Sequence, residues 1–110
     1  MPKAVLIVQS QAADPSRDDE YHKWYETTHI PDLLEIPGIK GARRFSLAGG
    51  GFGPADSSIP AHLAIYEIEA DDVDGVVNEI ATRAGDGRIE MSDVIQLDPA
   101  PVTLLYVERD

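Results

Sequence analysis

The stretch KAVLIVQSQ, Lys3 to Gln11, is one strand long, β-branched and apolar, and it hardly alternates. A strand of that kind is covered on both faces. The requirement is severe for a chain of 110 residues, because a domain this small supplies few helices. Two more segments read as strands. IKGARRFSLA, Ile39 to Ala48, alternates, with Ile39, Gly41, Arg43, Phe45 and Leu47 on one face and Lys40, Ala42, Arg44, Ser46 and Ala48 on the other. HLAIYEIEA, His62 to Ala70, puts His62, Ala64, Tyr66 and Ile68 on one face and Leu63, Ile65 and Glu67 on the other. VTLLYVE, Val102 to Glu108, is the last strand.

Two helices separate them. ADPSRDDE signals the first helix start: Asp14 or Ser16 can cap, Pro15 suits a first turn, and Asp18, Asp19 and Glu20 favour the positive end of the helix dipole. Tyr21, Trp24, Tyr25, Thr28 and His29 then follow at i, i+3, i+4, i+7 and i+8, which is one helical face. Pro31 lacks an amide hydrogen and restricts Ile30, so a break or kink is expected near His29, with PDLLEI adding one short turn before Pro37–Gly38 ends the unit. Asp71 to Gly85 is the second helix, with Val73, Val76, Val77, Ile80, Ala81 and Ala84 on one face. DGRIEMSDVIQLDPAP reads as irregular, with a short strand or turn around Val94 to Leu97.

The order strand, helix, strand, strand, helix, strand is the split βαβ of a ferredoxin-like α+β protomer: a four-stranded antiparallel sheet with two helices on one face. One domain spans residues 1–110. The helices cover one face only, yet the strands are apolar on both. A second copy of the same sheet is the simplest cover, so a homodimer packed sheet to sheet is expected.

Charge and composition remove several functions. The net charge is −11, from 20 acidic and 9 basic residues, and such a field repels nucleic-acid phosphates and anionic membranes. There is no cysteine, which excludes disulfides, thiolate metal sites and a cysteine nucleophile and fits a cytoplasmic location. The apolar N-terminal run is too short for a signal-peptide core or a membrane span. GGGFG lacks the lysine and the strand-to-helix turn of a phosphate loop. His22, His29 and His62 show no metal-ligand spacing, so no metal site is expected.

His29 is the leading candidate for chemistry. A histidine can move protons near neutral pH; a core histidine at a helix end is the competing role. Tyr25 and Tyr21 lie one and two turns earlier on the same stripe, and buried hydroxyls need partners, so they can orient a substrate oxygen or simply pack. Trp24 sits at the stripe's edge as packing. Arg43, on an apolar strand face, needs an anion: a bound carboxylate or phenolate, or an ion pair with Glu67. His62 and Tyr66 share a face that meets either the helices or a partner sheet.

WYETTHIPDLLEIPGIKGARRF, Trp24 to Phe45, resembles the signature of EthD-like proteins of the dimeric α/β-barrel superfamily: a Trp-Tyr pair, a histidine followed by an apolar residue and proline, a Pro-Gly turn and a strand with an arginine pair before an aromatic. The resemblance implies sheet-mediated dimers with a small-molecule pocket between sheet and helices. It implies action, without metal or organic cofactor, on cyclic, aromatic or polyketide-like compounds by isomerisation, decarboxylation, cyclisation or oxygenation. Some branches bind haem, and some members have no known activity. By position His29 is the motif histidine, Trp24 and Tyr25 the Trp-Tyr pair, and Arg43 and Arg44 the arginine pair. His62 and Tyr66 match no motif residue. The expected function is therefore cofactor-independent acid–base chemistry, with His29 and Tyr25 catalytic and Tyr21, Trp24, Arg43, His62 and Tyr66 binding substrate. A non-catalytic ligand-binding dimer and a haem-binding oxygenase are the alternatives.

Overall fold

A computed structural model describes residues 2–109. The four strands, β1 (Lys3–Ser10), β2 (Ile39–Ser46), β3 (His62–Glu69) and β4 (Val102–Val107), form one sheet in the order β2-β3-β1-β4, with every neighbouring pair antiparallel. This is the ferredoxin-like arrangement. β1 and β3 occupy the centre, as their apolar composition requires.

The first helical unit opens with a 3-10 turn (Pro15–Arg17). Asp14 caps it, accepting from the Ser16 amide at 2.8 Å, and Pro15 occupies a position with no amide partner to lose. Helix α1 (Asp18–Trp24) carries Asp18, Asp19 and Glu20 in its first turn. Of the break or kink expected near His29, no break occurs. The chain instead widens into a π turn over Tyr25–His29 and continues as α2 (Ile30–Leu34). The Ile30 amide reaches back to the Tyr25 carbonyl, five residues away rather than four. Pro31 explains the widening: its ring crowds the carbonyl four residues back, and it has no amide to offer that turn. Helix α3 (Val73–Asp86) starts at an Asp72 cap, whose carboxylate accepts from the Gly75 amide at 2.9 Å, and ends at Gly87 in the left-handed region.

Both helical units cover one face of the sheet. Ala4, Leu6, Ala64, Tyr66 and Ile68 from that face are buried with Tyr21, Tyr25, Leu33, Ile36 and Val76. Residues 88–95, irregular by sequence, are also built into this core. Ile89, Val94 and Ile95 are buried, and an isolated bridge pairs Ala12 with Ile95. No helix among the described residues is long and apolar enough to cross a membrane.

The strict alternation expected for β2 is interrupted. Ile39 pairs with Ile68 but Gly41 with Glu67, leaving Lys40 as an extra residue. A bulge of this kind flips the side chains that follow. Ile39 therefore shares the helix-facing side with Ala42 and Arg44, while Gly41, Arg43 and Phe45 lie on the open side. The open side also presents Val5, Ile7, Ile65, Leu104 and Tyr106, and no helix among the described residues covers it.

The turn before the bulge tolerates only glycine. Gly38 has φ +102°, and a Cβ there would approach the Val76 Cγ2 to 2.8 Å and the Ala70 Cβ to 3.3 Å. Gly38→Ala is expected to destabilise the protein by about 1–3 kcal/mol. A urea-unfolding midpoint unchanged from wild type would contradict this account of the turn.

Candidate functional site

The helical stripe and the helix-facing side of β3 meet in an aromatic cluster. Tyr21, Tyr25 and Tyr66 are between 0 and 1% exposed. The Tyr21 and Tyr25 rings meet edge to face at 5.3 Å. The Tyr21 hydroxyl is hydrogen-bonded to Ser10 Oγ at 2.6 Å. The Tyr25 and Tyr66 hydroxyls are buried with no hydrogen-bond partner, and so is Nδ1 of His29. Ser10 and Tyr66 both lie near enough to Tyr25 to affect its ionisation, but neither the Tyr25 nor the Tyr66 hydroxyl makes a bond of normal geometry. Burial, the largest cause, raises the pKa of Tyr21, Tyr25 and Tyr66, the last most strongly. All three are neutral phenols at physiological pH, able to donate a hydrogen bond.

His29 closes one side. Its ring stacks on Trp24 at 4.5 Å and 24° and meets Tyr25 edge-on at 5.0 Å. The stack joins residues five apart, which the π turn permits. Trp24 is thus more than filler: it holds one face of the imidazole, and its indole N–H donates to the Glu90 carbonyl at 3.3 Å. Asp32 accepts from the Glu90 amide at 3.0 Å, so the helix clasps that backbone at two points. Burial lowers the His29 pKa to about 4, partly offset by Asp32. The imidazole is neutral at pH 7, and its burial makes it a weaker base than a free histidine.

The arginine of the cluster is Arg44, not the expected Arg43. Arg44 Cζ lies 4.4 Å from the Tyr25 ring centroid and 5.5 Å from that of Tyr21, and its guanidinium pairs with Glu26 at 3.6 Å. Arg43 projects to the opposite side of the sheet, where it pairs with Glu67 at 3.3 Å beside Phe45. Counting alternate residues from Ile39 misassigns both. Gly41, a glycine inside a strand, is the one sequence signal of the bulge that exchanges them.

His62 falls into a second group, at the N-terminal end of α1. Its Nε2 lies 3.5 Å from Asp18 Oδ1, and His22 Nε2 lies 3.3 Å from Asp18 Oδ2. The two imidazoles meet edge-on at 4.5 Å, and His62 stacks on Tyr21 at 5.4 Å. Of the expected site residues, then, Tyr21, Trp24, Tyr25, His29 and Tyr66 gather in one cluster, His62 adjoins it through Tyr21, and Arg43 lies apart.

Two clefts lie elsewhere. One, of about 450 Å³, runs across the open side at one end of the sheet, lined by Lys3, Val5, Lys40, Glu67 and Tyr106 among others. The other, of about 210 Å³, lies at the opposite end between Phe45, Leu47, Ile59 and His62. Neither is lined by Tyr25, His29 or Tyr66.

No protein-family model matches the sequence, and no curated protein does either. Solved structures do. An EthD (ethyl tert-butyl ether D) family protein from Bacillus halodurans superposes with a TM-score of 0.59 at 14% identity, covering 99% of this chain and 100% of that one. A dimeric ferredoxin-like protein of unknown function from Thermobifida fusca gives 0.57 at 11% identity, covering 97% and 92%. At such identities the likeness is one of fold. The chain has the EthD-like, ferredoxin-like fold that its Trp-Tyr, histidine and Arg-Arg-aromatic segments suggest.

The depressed pKa of His29 links protonation to stability. Between its ordinary value of 6.5 and about 4, the unfolded chain binds a proton that the folded one refuses. Stability therefore falls as pH drops through that window, by up to roughly 3 kcal/mol, and changes no further from this group below it. Acid titration followed by histidine-ring NMR is expected to show His29 neutral until about pH 4. His29→Gln is expected to flatten the stability loss. A His29 midpoint near 6.5 would contradict the burial.

Proposed function

We propose that this protein is a cofactor-independent enzyme acting by acid–base chemistry on a small oxygenated ring compound. The observation that carries the reading is the trio of buried, unpartnered polar atoms: the Tyr25 and Tyr66 hydroxyls and His29 Nδ1. An unmet buried donor or acceptor costs about 1–3 kcal/mol, and native proteins rarely tolerate three together without a use. A substrate carbonyl or enolate oxygen would satisfy both phenols. Neutral His29 would take the proton from an acidic C–H and return it elsewhere. As charge develops on the substrate oxygen, the Tyr25 and Tyr66 O–H groups strengthen their bonds to it, and the Arg44 guanidinium over Tyr25 adds to the field.

A second reading, a ligand-binding or purely structural dimer without catalysis, is favoured by the near-complete burial of the three tyrosines and by clefts that lie away from them. The two readings separate in one series. A panel of small phenols and aryl ketones is titrated into labelled protein, and deuterium incorporation at the acidic C–H is followed in D₂O. The enzyme reading expects binding that weakens about tenfold or more in Tyr25→Phe and Tyr66→Phe, with exchange abolished in His29→Ala. Binding without exchange supports the second reading. No binding by any member of the panel defeats the substrate class. Without ligand, Tyr66→Phe is expected to match or exceed wild-type stability, since its hydroxyl satisfies nothing in the folded chain; a clear loss of melting temperature would show that the hydroxyl is structural.

The assembly we propose is a homodimer through the open side of the sheet. Phe45, Leu104 and Tyr106 there are 44, 40 and 54% exposed, a large apolar face for a monomer. The Thermobifida fusca structure of like fold is described as dimeric. Light scattering on a sizing column is expected to give a dimer at micromolar concentration and a monomer for the double variant Ile65→Glu, Leu104→Glu. A monomeric wild type would exclude the proposal.

A further inference from the structure

Three side chains that the acid–base reading leaves unused converge at the start of α1: Asp18, His22 and His62. One ligand atom from each lies within 4.8 Å of the others. The geometry points to a site for a single divalent transition metal of the zinc type, held by Asp18, His22 and His62.

The distances carry the argument first. Metal–nitrogen and metal–oxygen bonds of about 2.0–2.1 Å at a tetrahedral centre place neighbouring ligand atoms roughly 3.3 Å apart. The two N···O separations are 3.3 Å for His22 and 3.5 Å for His62. Each imidazole faces a different oxygen of Asp18, so a bidentate carboxylate, or a small turn about its last torsion, brings all three groups onto one ion.

The surroundings carry it second. The other ring nitrogen of His62, Nδ1, lies 3.0 Å from Ser46 Oγ. That bond can hold the Nδ1–H tautomer and leave the Nε2 lone pair for a metal, the arrangement that ligating histidines show. His62 is further fixed by its stack on Tyr21, and Tyr21 by its bond to Ser10. Asp18 and His22 sit four residues apart on one helical face, and His62 comes from the neighbouring strand, so two rigid elements supply the ligands. The donors are two imidazoles and one carboxylate, a set suited to zinc, cobalt or ferrous iron rather than to calcium or magnesium. Asp18 is about half exposed, which leaves a coordination position open to water. Arg44, whose charge reaches His62, pairs with Glu26, and Arg17 pairs with Glu20 and Asp93; the chain's net charge of −11 favours cation approach.

The test uses the whole chain, freed of metal with a chelator, and Co²⁺ alone as probe. The expected result is one Co²⁺ per chain with the intense visible absorption of a low-coordinate centre, displaced by equimolar Zn²⁺. His22→Ala and His62→Ala are expected to lower the affinity about 100-fold or more, and the positioning change Ser46→Ala about tenfold. His29→Ala is expected to bind as wild type, because its imidazole lies in the other cluster. Ring-nitrogen NMR of the unaltered protein gives a measurement independent of whether the variants fold: Zn²⁺ should shift His22 and His62 Nε2 and spare His29. Weak, pale, octahedral binding that is the same in every variant would show only cations on an acidic surface and overturn the site. So would Zn²⁺ titration that leaves the His22 and His62 nitrogens unmoved.

Discussion

Pro31 has no amide hydrogen for the turn before it, and its ring leaves little room for the carbonyl four residues back. In a helix with nothing else at stake the chain would break there. Here α2 must go on, because Leu33 and Ile36 complete the core and the chain must reach β2 on the correct side. The π turn at Tyr25–His29 reconciles the two demands by adding one residue to the circuit. Much of the site follows from that extra residue. It sets His29 against Trp24 five positions earlier and leaves Trp24 and Asp32 both bonded to the Glu90 backbone.

The cluster that results is apolar in its burial and polar in its atoms. Burial holds the three tyrosines and His29 neutral, which suits hydrogen-bond donation by the phenols and makes His29 a weak base. The same burial makes every unmet polar atom costly, and three remain unmet while Tyr21 finds Ser10. A core selected for stability alone would carry phenylalanine at positions 25 and 66. In the acid–base reading we propose, those hydroxyls would trade stability for substrate binding.

The sheet divides the molecule's roles. Its helix-facing side carries the aromatic cluster and, at one end, the Asp18–His22–His62 group. Its other side is apolar and open, with Arg43 and Glu67 as an ion pair among aliphatic neighbours. The bulge at Lys40 decides which arginine belongs to which side. One residue of slippage thus separates a cation stacked on tyrosines from a cation on the outer face.

Local chemistry in the sequence determined the elements. β-branched apolar runs make strands, an aspartate before a proline starts a helix, and Pro37–Gly38 ends one; these rules act over a few residues and needed no fold. The element order, read with the Trp-Tyr and histidine-proline segment, led to the ferredoxin-like sheet, and the stripe from Tyr21 to His29 was legible as one face. What lay beyond local rules was decided by tertiary packing. Whether Pro31 breaks or widens the helix depends on the core waiting beyond it. Which arginine faces the tyrosines depends on a bulge that only pairing with β3 defines. That His62 meets Asp18 and His22 depends on strand β3 lying beneath α1, a proximity between residues 40 or more positions apart that no spacing along the chain encodes.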